Sequence, residues 1–406
     1  MATVSQIHVA GQSLVKIAMG LGFALLAWSI LVQVAVQRLP GSIAQGIAPN
    51  SPTVLERLAQ ERLLESRFGA AERLARSALV RQPFNTKALR TLGLALDESG
   101  DRALADKFLT LAGNWTLRDT ATHIWLFNHR IRAGEYGSAF AHLDTVLRRR
   151  EDLRPQFFEM MQRGAVQDAA SVPAIADRLA RKPNWRAPFF IHLGTTAPGQ
   201  AVAASLAVSL KEAGQGLDAA ELEALLKALL ASRNLGLFDA LATRLSLGGR
   251  MGGLVDGDFE GAPGTLPFGW EIGGGAGAAA EIVADEDAGS KVLRVEYDGF
   301  AAALLARQLT RLRPGPQRLS GRTQVDGDPT QFRWSVSCIE SGLKLPVQSA
   351  AGALAARDGF SEDFSVPGTG CRLQWVSLVT EPGERRAPVV AVYDDLVISA
   401  AAPSPP

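Results

Sequence analysis

The chain has 406 residues, 47% of them hydrophobic and 20% charged, which reads as ordinary folded protein too long for one hydrophobic core. Its net charge of +1 divides unevenly: residues 253–406 hold 13 Lys+Arg against 20 Asp+Glu, and the rest hold 29 against 21. The cations of the basic first part are spread out, and the densest patch, Arg148-Arg149-Arg150, falls at a helix end where cations offset the dipole, so nucleic acid is not expected as a partner.

Residues 17–36, IAMGLGFALLAWSILVQVAV, carry no charge. At about 1.5 Å per residue such a helix spans roughly 30 Å, the thickness of a bilayer core. Lys16 precedes it, Arg38 follows it, and the first sixteen residues hold no acid. The expectation is a cytoplasmic tail at 1–16, a transmembrane anchor at 17–36, a linker at 37–51, and a translocated remainder. A cleaved signal peptide is the competing reading, but the apolar run is long and Ser42-Ile43-Ala44 is a poor cleavage site. Beyond the anchor lie the only two cysteines, Cys338 and Cys371, both in strand-like contexts. An even count in a translocated domain points to one disulfide, with two unpaired core thiols as the alternative.

From about residue 52 the chain repeats itself. Leu58, Leu92 and Leu126 are 34 apart, as are Ala71, Ala105 and Ala139, and the same step joins Gly100 to Gly134, Ala78 to Ala112 and Leu55 to Leu89. Each unit reads as two short amphipathic helices joined near the glycine, with Ala where paired helices approach closely. Residues 52–150 resemble tetratricopeptide repeats through Leu92, Gly93, Gly100, Ala105 and Ala112, although the large aromatic near the start of that repeat is here Leu89 and His123. The resemblance implies an α-solenoid whose surface docks a protein partner, continuing irregularly to about residue 248. His123, His129 and His142 fall in the third unit at separations that place no two of them one turn apart on one helix, so they read as surface or core residues.

At about residue 248 glycine pairs end the helices and period-2 alternation takes over. KVLRVEY, AALLARQLT, QFRWSVSCI, CRLQWVSLV and PVVAVYDDLVIS alternate or run apolar between the turn clusters RPGPQ, DGDP, VPGTG and EPGE. Eight or nine strands over residues 253–400 indicate an antiparallel β-sandwich, followed by a disordered tail at 401–406. GGGAGAAAEIV contains a dinucleotide-fingerprint match, but a turn follows where a helix would be needed, so it reads as a hairpin loop.

The entry GDFEGAPGTLPFGW and the exit strand YDDLVIS resemble the first and last strands of jelly-roll carbohydrate-binding modules. That resemblance implies a structural calcium held in part by Glu260 and Asp394; taken alone these are two solvated carboxylates. It also implies glycan recognition by exposed aromatic rings, with Trp270, Tyr297, Phe300 and Phe360 as candidates at strand ends or loops, each otherwise a core residue. No cofactor is required, and no GxSxG, HExxH or P-loop occurs.

The whole reads as a multidomain α plus β protein: an anchor, a tetratricopeptide-like solenoid and a jelly-roll sandwich. The expected function is a non-catalytic scaffold of the bacterial inner membrane with its bulk in the periplasm. The repeats would dock a protein and the sandwich would recognise glycan in polysaccharide assembly or export. The alternatives are a purely structural or oligomerising envelope protein, or a glycan-active enzyme.

Overall fold

The structure, a computed structural model, describes residues 3–39, 41–247, 253–261, 264–285, 289–349, 359–383 and 386–401, with the side chains of residues 3–18, 20, 37, 42 and 349 excepted. The expected helix-to-strand boundary at 248 and most of the tail at 401–406 lie outside the described residues. The chain divides into two compact units, Met1–Glu151 and Asp152–Pro406.

The first unit opens with α1 (Thr3–Arg38) and the short α2 (Gly41–Ile47). Among the described residues no helix is long and apolar enough to cross a membrane. The expected span at 17–36 lies within α1, and part of it, like the side chains of the expected tail at 1–16, falls outside what is described. Three helical hairpins follow: α3 (Pro52–Leu64) with α4 (Phe68–Arg81), α5 (Thr86–Glu98) with α6 (Arg102–Trp115), and α7 (Thr120–Arg132) with α8 (Tyr136–Leu147). The first helices begin at 52, 86 and 120 and the second at 68, 102 and 136, a constant step of 34 residues.

The repeat has a packing cause. Leu58, Leu92 and Leu126 are buried at equivalent places, and Ala71, Ala105 and Ala139 are buried where the second helix meets the first. A Cβ added at Gly93 would lie 2.5 Å from Leu109 Cγ, so the smallest residue sets how closely α5 and α6 approach. Asn85, Asp101 and Asp119 cap α5, α6 and α7 by accepting the backbone N–H of Ala88, Leu104 and Thr122. The hairpin turns need a left-handed residue, supplied by Gly100 (φ +93°) and Gly134 (φ +74°), and in the first hairpin by Ser66 (φ +58°).

In the second unit the 34-residue step is lost. Its helices are α9 (Arg154–Gln167), α10 (Val172–Ala180), α11 (Arg186–Gly194), α12 (Ala197–Glu212), α13 (Ala219–Ala231) and α14 (Leu235–Arg244). A buried ion pair replaces periodic packing here. Arg186 donates to both carboxylate oxygens of Glu221 at 2.7 and 2.6 Å, to Leu179 O at 2.9 Å and to Gly216 O at 3.1 Å. Glu221 in turn accepts the Asp218 N–H and completes the capping box of α13. One guanidinium therefore ties together the end of α10, the start of α11 and the start of α13.

The strands are β1 (Glu271–Ile272), β2 (Gly274–Gly275), β3 (Ala278–Ala284), β4 (Lys291–Tyr297), β5 (Leu304–Thr310), β6 (Gly315–Asp326), β7 (Phe332–Cys338), β8 (Lys344–Leu345), β9 (Gln348–Ser349), β10 (Gly359–Val366), β11 (Gln374–Thr380) and β12 (Val389–Ala400). They form two antiparallel sheets, ordered β1-β5-β11-β7-β8 and β2-β3-β4-β12-β6-β10-β9. Alternate residues of both, including Leu293, Val295, Trp334, Val336, Val376 and Ala391, fill one core between them. The glycine-rich stretch at 273–283 is a hairpin, β2 against β3, as expected. Cys338 at the end of β7 is bonded to Cys371 just before β11, with Cα atoms 4.8 Å apart.

The joint at 253–261 is held from three sides. The side chain of Gln308 imitates a strand, accepting Val255 N–H at 2.7 Å and donating to Val255 O at 2.8 Å. Trp270 donates its indole N–H to Asp256 O, and Leu396 N–H donates to Gly257 O at 2.8 Å. A Cβ at Gly257 would sit 1.9 Å from Leu396 O, so only glycine fits there. The helices then close on the sandwich. Phe268 lies 5.6 Å from the Phe238 ring of α14 and beneath the Arg311 guanidinium, which is paired with Asp239 at 3.0 Å.

Replacing Arg186 with Ala leaves Glu221 buried without its partner and is expected to cost about 3–5 kcal/mol. Urea unfolding of the full chain measures this, and a midpoint equal to that of the parent protein would contradict it.

Candidate functional site

The four rings expected to face solvent do not behave alike. Trp270 is buried between Phe259, at 5.7 Å, and Trp334, at 6.3 Å. Tyr297 is buried beside Phe332. Phe360 is half-buried, stacked on Trp334 at 5.9 Å and set edge-on to Tyr393. A ring whose faces are covered by its own core cannot stack on a sugar, so the expectation fails for Trp270 and Tyr297 and is weak for Phe360. Strand ends are close to solvent in sequence terms, but here their side chains point between the sheets. Phe300, by contrast, is 65% exposed.

Three loops build the surroundings of Phe300. Asp298, just past the end of β4, accepts Phe300 N–H at 3.0 Å through Oδ1, which fixes the ring's backbone. Its backbone N–H donates to Gly277 O in the β2–β3 turn at 2.8 Å. Arg386, before β12, donates to Asp298 Oδ2 at 2.6 Å and carries its guanidinium carbon 5.1 Å from the Phe300 ring centroid. That hydrogen bond is the main reason the Asp298 carboxyl is held below the usual carboxylate range. Beside Asp298 lies an open cleft of about 510 Å³ whose lining includes Gly277, Ala278, Glu296, the otherwise buried Tyr297, Pro388 and Val389. Of the trio, Asp298 lines this cleft, and it holds the exposed Phe300 ring and the Arg386 guanidinium next to it.

The proposed calcium ligands do not fit a divalent cation. Asp394 is buried, and its Oδ2 accepts from the guanidinium of Arg322, while Oδ1 accepts Asp395 N–H at 2.7 Å. Arg322 Nε also reaches Asp395 Oδ2 at 2.7 Å. A fixed cation of the chain thus stands where a metal would have to approach Asp394. Glu260 Oε1 accepts the backbone N–H of Lys291. Among the described residues no group of three or more His, Cys, Asp or Glu side chains could hold a metal.

Two features escaped the sequence reading. His123 and His142 meet across the α7–α8 hairpin with Nδ1 atoms 3.1 Å apart, and His123 Nε2 lies 3.1 Å from Thr116 O. Burial, and then the neighbouring His123, lower His142 to about 4. Counting separations along one helix cannot find a pair formed between two. The second feature is Glu362. On β10 the alternation Phe360, Glu362, Phe364, Val366 places a carboxylate on the apolar face, a signal that was present in the sequence. Burial pushes Glu362 up to about 7, opposed by the charge of Arg333, and its Oε2 has no hydrogen-bond partner among the described residues.

No protein-family model matches the chain and no curated protein matches it, so the site is read from geometry. Because the folded-state pKa of Glu362 is raised, the folded state holds a proton that the unfolded state releases above about 4.5, and stability falls as pH rises toward 7. Glu362→Gln is therefore expected to stabilise the protein by roughly 1–3 kcal/mol at pH 8, allowing for partial exposure, and by almost nothing near pH 4. Thermal unfolding at the two pH values measures the difference; an equal effect at both would contradict it.

Proposed function

We propose that this chain is a non-catalytic scaffold of a bacterial cell envelope, held at the inner membrane by α1 with its bulk in the periplasm. Its tetratricopeptide-like repeats dock a protein partner, and its jelly-roll-like sandwich recognises glycan, in the setting of polysaccharide assembly or export. The observation that carries the glycan reading is the exposed Phe300 ring flanked by Arg386 and Asp298 beside an open cleft. The apolar face of a pyranose can lie on such a ring while its hydroxyls meet a guanidinium and a carboxylate. The closed Cys338–Cys371 bridge supports an oxidising compartment. The described side chains from Leu21 to Leu31 of α1 are all exposed and largely apolar, which supports burial in lipid.

A second reading has its own observation. The contact of Phe238 and Asp239 with Phe268 and Arg311 ties the sandwich to helices of its own unit, which favours a brace or oligomerisation element over a binding module. Affinity-gel retention on envelope polysaccharides separates the two. Phe300→Ala and Arg386→Ala are each expected to lower retention at least tenfold with an unchanged unfolding midpoint, in line with the loss of one stacking or charged contact worth about 1.5–3 kcal/mol. Retention unaffected by both substitutions, or absent for the parent protein, would favour the structural reading.

A further inference from the structure

The first unit exposes an apolar and basic strip along one edge. Val80 lies in the last turn of α4 and Phe84 just after it, while Trp115 ends α6 and Leu117 follows it; Val80 and Phe84 are about four-fifths exposed, and Leu117 63%. Phe84 and Trp115 pack against each other at 5.2 Å, joining the two turns into one patch. Exposed Arg81, Lys87, Arg118 and Arg149 surround it. The acids nearest in the turns are engaged: Asp119 is paired with Arg90 at 3.0 Å and Asp144 with Arg148 at 2.9 Å. Arg149 also donates to Leu117 O at 3.1 Å, which fixes that turn outward. Contiguous large apolar side chains ringed by cations are not ordinary solvent-facing surface.

The course of α1 says what this edge meets. Val36 packs with Val54, Arg57 donates to Leu39 O, and Gly41 N–H donates to Glu61 at 3.1 Å, so α1 and its exit run along α3 in the same direction. Residues before Val32 must therefore pass beyond the N-terminal end of α3. That end lies on the same edge, because Arg81 at the end of α4 donates to Asn50 just before α3, at 3.2 Å. The exposed apolar length of α1 thus leaves the unit from the edge that carries Phe84 and Trp115.

We infer that this edge is a membrane-contact surface: Phe84, Trp115 and Leu117 sit at the headgroup level of an anionic bilayer, with Arg81, Arg118 and Arg149 against lipid phosphates. The inference rests on the reading that α1 lies in that bilayer. Trp115, an aromatic ring with a polar tip, and the long cationic side chains are suited to this layer, and Phe84 and Leu117 add apolar surface beside them. The repeats would then stand on the membrane by two contacts, one through the bilayer and one on its surface.

The test uses the full chain in vesicles of phosphatidylglycerol and phosphatidylcholine, with an environment-sensitive fluorophore on one introduced cysteine. The two native cysteines are bonded to each other, so Leu117→Cys, Leu64→Cys and Leu25→Cys can each be labelled alone. Leu64 is exposed at the opposite turns and serves as the water reference. The expected result is quenching by headgroup-labelled lipid at 117 and none at 64. Arg118→Glu with Arg149→Glu should reduce the signal at 117, as should phosphatidylcholine alone. A probe at 117 as water-like as at 64 would overturn the proposal, and would leave the edge to a protein partner. The probe at 25, near the middle of the span, is read with lipid labelled on the acyl chain and reports the anchor separately: quenched at 25 with 117 unquenched by headgroup label, the anchor stands and the surface contact falls; unquenched at 25, the anchor reading itself falls.

Discussion

The second unit depends on how Phe268 is enclosed. Its ring is buried between Phe238 of α14 and the guanidinium of Arg311, and the same guanidinium is held by Asp239. Neither a helix end nor a sheet edge could bury that ring alone. A short helical region without the regular repeat lacks the neighbour-to-neighbour packing that stabilises a solenoid, and the sandwich supplies the missing face. Arg233 adds a hydrogen bond from the α13–α14 turn to Glu340 O at 2.9 Å, so the contact has a second point and a defined orientation.

Much of the architecture was legible because packing repeats itself in sequence. Leu58, Leu92 and Leu126 mark equivalent burial sites, and the helix starts follow the same step. The strands β4, β5, β7, β11 and β12 stood out because their sequences alternate or run apolar between turn clusters. β6 and β10 did not. Gly315, Pro316 and Gly321 make β6 read as turns, and its outward face is Arg318, Ser320, Arg322 and Gln324. Those two strands are matched by a charge pair instead, Arg318 donating to both oxygens of Asp363 at 2.7 and 2.8 Å, a relation that exists only after the strands are brought together.

The candidate site was less legible for a related reason. Position at a strand end does not say which way a ring points, and Trp270, Tyr297 and Phe360 point inward to a shared aromatic core. Phe300 is turned outward by a local device, the acceptance of its N–H by Asp298. The same holds for charge. The contrast between a basic first part and an acidic second part suggested surfaces, yet Arg186, Arg311, Arg318 and Arg322 are each paired with a carboxylate of the same unit. Arginine serves here as a multi-pronged tie between elements, using its fixed fork of donors. The exposed cations Arg81, Arg118, Arg149 and Arg386 are the ones that the functional readings use, and three of them are also oriented by a partner: Arg81 by Asn50, Arg149 by Leu117 O and Arg386 by Asp298.

If the helices α13 and α14 and the sandwich are one cooperative body, then loosening the Phe268 contact must loosen both sides of it. Hydrogen exchange of the full chain carrying Phe268→Ala tests this most directly. The expected result is a common loss of protection in Leu235–Arg244 and in Leu304–Thr310. Faster exchange confined to one of these segments, with the other keeping its original protection, would contradict the account.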